Sequence, residues 1–187
     1  MKTVFVTVGT TSFDELIETV VSPEVLAVSL HFAPINAYRA SQLAYYTKTF
    51  YLFRMHVPLM QVLKNQGYTK VLLQVGKGNT PKVDGNVEPS VESYNFKDSL
   101  TRDINEASLV ISHGGAGSIL QALRAGKKLV AVVNDKLLHN HQSELAGQLH
   151  KEGYLLYCTC KSVAEINIHR LYCVHTGPNW NCLDQAL

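Results

Sequence analysis

The sequence predicts an α/β chain: a Rossmann-like parallel sheet with helices on both faces. Three observations predict it. Short apolar runs rich in β-branched residues recur at 4–8 (VFVTV), 71–75 (VLLQV), 109–112 (LVIS), 129–133 (LVAVV) and 154–158 (YLLYC). They are mostly continuous rather than alternating, as strands covered on both faces of a parallel sheet are. Stretches with helical spacing separate the later runs, and strand–helix alternation with short links implies right-handed crossovers in one sheet. Glycine-rich loops also follow several of the runs, at the carboxyl edge where open parallel sheets bind ligands.

Taken in order, the run at 4–8 leads into Gly9-Thr10-Thr11, and Ser12-Phe13-Asp14-Glu15 fits a capping box opening the first helix. The next run begins only at Val71, a gap about three times what one helix and two short loops need. The excess sits at residues 27–60, which hold seven aromatic residues, and no Asp or Glu occurs anywhere from Val25 through Val83. We read 27–60 as an insertion. It is an extra helical pair on the sheet, a basic aromatic surface for a partner or membrane, or a spliced-in segment that packs poorly. After the strand at 71–75 comes the loop Gly76-Lys77-Gly78, then an amphipathic stretch at 96–106. The strand at 109–112 leads into a glycine cluster, and a helix at 117–125 stops at Gly126. A final helix at 140–151 stops at Gly153, a normal C-terminal glycine. Residues 1–160 thus form one domain, interrupted at 27–60, and 161–187 form a divergent, partly ordered tail.

Composition narrows the function classes. The chain has 187 residues, 46% hydrophobic and 17% charged, which is globular and enough for one core. A net charge of +2 is too small a basic surplus for a dedicated nucleic-acid binder. The four cysteines, Cys158, Cys160, Cys173 and Cys182, crowd the last 30 residues, unlike a disulfide framework, and suit reduced thiols in a cytosolic protein. Cys158 and Cys160 read as buried and inert. The N-terminal apolar run is too short for a signal peptide, and no run approaches a membrane span.

Ser112-His113-Gly114-Gly115-Ala116-Gly117-Ser118 is the strongest chemical signal. Glycines there admit a ligand close to the backbone, and the following helix N-terminus offers free N–H groups and a positive dipole end, suited to a diphosphate. A tight turn with glycines for packing alone is the alternative. Gly9, Thr10 and Thr11 form a second such loop at the same edge, or a simple helix cap. Lys77 faces phosphate or solvent. His139-Asn140-His141-Gln142-Ser143-Glu144 offers amide, imidazole and carboxylate groups for sugar hydroxyls and an N-acetyl group, or is a polar helix start. His139 and His141, two apart, do not share a helix face, which argues against a metal. The glycine cluster follows the third apolar run, and no acid occurs between it and Asn134, so a dinucleotide fingerprint is not formed. No P-loop pattern is present.

The segments KTVFVTVGTTSFDELI, QGYTKVLLQVGKG, SLVISHGGAGSILQALRAGKKLVAVVN and HNHQSELAGQLHKEGYLLYC resemble the catalytic subunit of the two-chain UDP-GlcNAc transferase of dolichol-linked oligosaccharide synthesis. That family is of the glycosyltransferase family 28 C-terminal-domain type. The resemblance covers residues 1–26 and 61–160. It implies the nucleotide-sugar half of a GT-B fold, and an inverting transfer of a second GlcNAc to GlcNAc-diphosphodolichol at the cytosolic face of the endoplasmic reticulum. A membrane-anchored partner subunit would bind the dolichol-linked acceptor. On this reading Gly115, Ala116, Gly117 and Ser118 hold the diphosphate of UDP-GlcNAc, beside His113, Gly114, Gly9, Thr10 and Thr11. Gln121 holds the ribose, and His141, Gln142 and Glu144 hold the GlcNAc. Binding needs no metal and no cofactor, and no general base is assigned. Gln121 stands where the family usually has Glu, and Lys128 where it usually has Pro. A non-catalytic nucleotide-sugar-binding isoform is the alternative function.

Overall fold

The computed structural model describes residues 1–22, 58–83, 85, 87–134 and 141–163. Within them lie β1 (Thr3–Thr7), α1 (Asp14–Val21), α2 (Leu59–Asn65), β2 (Lys70–Gln74) and β3 (Ser90–Tyr94). These are followed by α3 (Thr101–Glu106), β4 (Leu109–Ser112), α4 (Ala116–Arg124), β5 (Leu129–Val133), α5 (His141–Lys151) and β6 (Leu156–Thr159). The strands form one sheet in the order β3-β2-β1-β4-β5-β6. Every pairing is parallel, with Thr7 opposite both Gln74 and Ser112 at the carboxyl edge.

The continuous apolar runs are explained by two cores, one on each face of the sheet. Val4 and Val6 of β1 pack with Leu16 and Ile17 of α1 and Leu59 and Leu63 of α2. Phe5, pointing the other way, packs with Ile104 of α3, Ile119 and Leu123 of α4, and Ala146 and Leu149 of α5. The order of strands reverses at β1, so the loops after β1 and β4 open a crevice between them.

Several expectations need correction. A sixth strand, β3, was not legible: SVESY is polar and mostly exposed at the sheet edge, so it carries no apolar run. The glycine cluster therefore follows the fourth strand. No capping box forms. Helix α1 starts at Asp14 with Phe13 as its N-cap and no side-chain cap bond. Asp14, the first helical residue, accepts from the Asn79 backbone N–H at 3.1 Å. The amphipathic stretch at 96–106 is helical only from Thr101, and 96–100 forms an irregular lip. The last run shifts to β6, with Leu155 buried just before it. Leu59 and Met60, assigned to the insertion, are buried core residues of α2, 2% and 6% exposed. The rest of the insertion described by the sequence, 27–57, lies outside the described residues, as does the tail beyond Val163, which is itself buried.

Gly126 and Gly153 end their helices with φ of 64° and 81°. Cys158 and Cys160 are buried, and burial, with Cys160 nearby, pushes the Cys158 thiol up to about 12. Among the described residues no helix is long and apolar enough to cross a membrane.

Candidate functional site

At the carboxyl edge, the loops after β1, β3 and β4 enclose a cleft of about 410 Å³. Its floor and one wall come from Gly9, Thr10, Gln74, His113, Gly115, Gly117, Ser118 and Gln121. The lip at 96–100 makes the other wall.

His113 is the hub of the floor. Its backbone N–H continues the β1–β4 ladder to the Thr7 carbonyl oxygen at 3.0 Å, and its Nδ1 lies 3.3 Å from the same oxygen. A carbonyl partner requires the proton on Nδ1, leaving Nε2 with its lone pair. Burial lowers the His113 pKa, with the bond to Thr7 opposing in part, so the ring is neutral at physiological pH. The Cε1–Nε2 edge of the imidazole lies close against two glycines. A Cβ on Gly9 would stand 2.7 Å from Cε1, and one on Gly115 would stand 2.4 Å from Nε2. Gly9 also has φ of 65°, and Gly114 has φ of 82°, both in the left-handed region. Gly115 and Gly117 do not share it; the positive angle belongs to Gly114.

Helix α4 begins at Ala116, with Gly115 as N-cap and no side-chain cap bond. Its first N–H groups therefore have no intrahelical acceptor, and its positive dipole end, roughly half a charge, faces the cleft. Among the described residues a Cβ on Gly117 would meet nothing within 4 Å. The space above Gly117 is open, which is what a ligand seated on the helix N-terminus requires. Ser118 and Gln121 border the same space.

Not every expected residue converges here. Thr11 is exposed, donates from Oγ1 to the Val8 carbonyl at 2.8 Å, and does not line the cleft. Its carbonyl accepts from Lys77 N–H at 3.0 Å, which binds the Gly76-Lys77-Gly78 loop to the first one. Gly114 in the loop and Ala116 at the first position of α4 do not line the cleft, and exposed Glu144 on α5 is outside it. The side chains of His141 and Gln142 lie outside the described residues.

The lip was missed by sequence reasoning. Phe96 is 54% exposed there, an unusual cost for an aromatic ring, and Asp98, Ser99 and Leu100 follow it. The lip is pinned from behind. Lys97 Nζ lies 2.9 and 2.8 Å from the two oxygens of buried Asp103 and 4.0 Å from the centre of the Tyr94 ring. Tyr94 donates its hydroxyl to Asp103 as well, and burial and then that carboxylate raise the Tyr94 pKa. The signal that could have found the lip is Phe96-Lys97-Asp98-Ser99, a polar run interrupted by one aromatic just before a helix.

The glycosyltransferase family 28 C-terminal domain profile matches residues 3–171. The chain belongs to that family. It is 44% identical over 162 residues to the UDP-N-acetylglucosamine transferase subunit ALG13 of Mus musculus, covering 86% of this chain and 11% of the relative. It is 43% identical to the Homo sapiens protein of the same name over the same shares. The chain thus spans about a tenth of those two relatives. The Yarrowia lipolytica protein of that name is 36% identical over 124 residues, covering 63% of each. Among solved structures, the glycotransferase of kitacinnamycin matches with TM-score 0.52 and 17% identity, covering 95% of this chain and 36% of that one. The glycosyltransferase SnogD from Streptomyces nogalater matches with TM-score 0.52 and 16% identity, covering 93% and 37%. The NMR solution structure of ALG13 matches with TM-score 0.50 and 22% identity, covering 84% and 78%. The fold is that of one Rossmann-like half of a GT-B glycosyltransferase.

Proposed function

We propose that this chain is the catalytic subunit of a UDP-GlcNAc transferase, and that the cleft binds UDP-GlcNAc. The observation that carries the reading is the uncapped N-terminus of α4 beneath the open space at Gly117, facing a second glycine loop at Gly9. The N–H groups of Gly117 and Ser118 and the Ser118 hydroxyl receive the diphosphate. Thr10 stands across the cleft, and Gln121, one turn along α4, takes the ribose hydroxyls. Phe96 offers an aromatic face for the uracil ring. His141, Gln142 and Glu144 take the GlcNAc, whose position beyond the diphosphate lies toward α5.

Within this reading the acceptor hydroxyl attacks the anomeric carbon from the face opposite UDP. The bond from that carbon to the diphosphate oxygen breaks, and the electron pair leaves with UDP. Negative charge grows on the diphosphate, where preorganised N–H donors and the helix dipole stabilise it without reorganising. Binding then needs no metal. The hydroxyl proton passes to a base outside the residues assigned here, on the partner subunit that completes the cleft. The acceptor is GlcNAc-diphosphodolichol, presented by a membrane-anchored partner at the cytosolic face of the endoplasmic reticulum, where this chain is recruited from the cytoplasm.

Two measurements test this. Calorimetric titration of the chain with UDP-GlcNAc should show binding that survives chelation of divalent ions. Transfer to a GlcNAc-diphospholipid should appear on co-expression with the membrane subunit and be absent from the isolated chain. No binding removes the reading altogether. Binding with no transfer by the assembled pair favours a non-catalytic binder, consistent with Gln121 in place of a carboxylate.

A further inference from the structure

We propose that Gln74 is a positioning residue that holds the floor of the cleft in its ligand-receiving shape, and that diphosphate affinity depends on it. The inference rests on the nucleotide-sugar reading above for its ligand, but not for its geometry. Gln74 ends β2, is 2% exposed and is not charged, so sequence alone reads it as a strand-end polar residue. Its carboxamide is fully committed. Oε1 accepts from Thr7 Oγ1 at 2.6 Å and from the Gly9 N–H at 2.9 Å. Nε2 donates to the Gly9 carbonyl at 2.6 Å and to the Asn95 carbonyl at 3.0 Å. Two acceptor sites and two hydrogens are all a carboxamide has, so none remains for a ligand.

The partners explain what the clamp does. Gly9 is gripped by both its N–H and its carbonyl, which fixes its left-handed backbone. Gly9 in turn lies against the Cε1–Nε2 edge of the His113 ring, which also meets Gly115 at the start of α4. Thr7 is shared: its hydroxyl donates to Gln74, and its carbonyl receives both His113 N–H and Nδ1–H. Asn95 stands where β3 gives way to the lip, and its Nδ2 donates to the Gly76 carbonyl at 3.1 Å. One buried side chain therefore joins the loops after β1, β2 and β3 and, through Thr7 and Gly9, braces the loop after β4. If Gly9 relaxes, the imidazole has room to move and the N–H groups of α4 lose their aim.

The test compares the full chain with Gln74→Met, which keeps the volume and removes all four bonds, and with Gln74→Glu. The latter keeps the acceptor for Thr7 and Gly9 but sets an oxygen against two carbonyl oxygens. Two readouts are taken: amide hydrogen exchange by NMR on the free protein, and calorimetric affinity for UDP and for UMP. The Gly9 N–H is shared between Gln74 Oε1 and Thr7 Oγ1, the latter at 3.1 Å, so Gln74→Met removes the shorter of two acceptors. The clamp predicts that the Gly9 amide exchanges roughly two- to tenfold faster in Gln74→Met, the range for one net hydrogen bond lost, while amides in the middle of β1 do not change. It predicts a loss of about tenfold or more for UDP and a clearly smaller loss for UMP, which lacks the second phosphate. In Gln74→Glu, lowering the pH should restore part of the UDP affinity relative to the parent, because a protonated carboxyl regains a donor. Unchanged Gly9 exchange, or equal losses for UDP and UMP, overturns the proposal. If the parent chain binds neither nucleotide, the functional reading fails, and Gly9 exchange still decides the clamp. If Gln74→Met does not fold, Gln74→Glu with its pH dependence carries the same decision.

Discussion

Replacing Gly117 by alanine should strengthen the fold and weaken the ligand, two effects that pull apart only if the open space above α4 is a binding site. Gly117 is the second residue of α4 and has a helical backbone, so alanine enters without strain. The new Cβ would meet no atom of the described residues within 4 Å. Alanine is favoured over glycine inside a helix by roughly 0.5–1 kcal/mol, and somewhat less in the first turn. For a domain of this size that raises the melting temperature by about 1–3 °C. The same methyl stands where a diphosphate would approach the backbone. Losing one N–H bond to a charged oxygen costs about 1.5–3 kcal/mol, roughly ten- to 150-fold in affinity. Gly115→Ala is the contrasting case. Its Cβ would lie 2.4 Å from His113 Nε2, and the ring is tied at Nδ1 to the Thr7 carbonyl and also touches Gly9, so about 1 Å of displacement is needed. Both stability and affinity should fall there. The assays are thermal melting and UDP-GlcNAc titration on each variant. A Gly117→Ala protein that binds UDP-GlcNAc as tightly as the parent would refute the placement of the diphosphate over α4.

Three further outcomes are expected. Because burial depresses the His113 pKa, the unfolded chain binds more protons than the fold between the depressed value and the ordinary one of about 6.5. Stability should be level with respect to this group above about pH 7 and fall as the pH drops below 6.5; denaturant melts at stepped pH should show it, and His113→Gln should flatten part of the slope. Leu59→Ala should cost about 2–5 kcal/mol, since Leu59 is 2% exposed in the α1–α2 core; a near-neutral chemical melt would return residue 59 to the insertion. Among the described residues the buried Ser112 hydroxyl has no hydrogen-bond partner, so Ser112→Ala should leave the melting temperature unchanged or raise it, and a drop of several degrees would reveal a partner for that oxygen.

The sequence by itself determined the fold class, five of the strands and the place of both glycine loops, because each is written locally. A strand covered on both faces must be apolar at every position, and a loop that turns tightly into a helix must carry glycine. The edge strand β3 escaped because an exposed edge demands no apolar run, and the capping box misled because α1 begins at Asp14 with Phe13, not Ser12, as its N-cap, which puts Ser12 and Glu15 out of the box positions. Leu59 and Met60 looked like part of an insertion because an apolar pair declares its burial only when α1 is there to cover it. Which glycine does what was likewise decided in three dimensions. Gly115 makes room for His113, Gly114 takes the left-handed turn, and Gly117 leaves space for something else. The lip at 96–100 and the Gln74 clamp were beyond the sequence for the same physical reason. A hydrogen bond or a cleft wall is a relation between residues about 20 to 65 apart in the chain, here between Gln74 and its partners Asn95 and Gly9, and only the packing of parallel strands brings such residues to one edge.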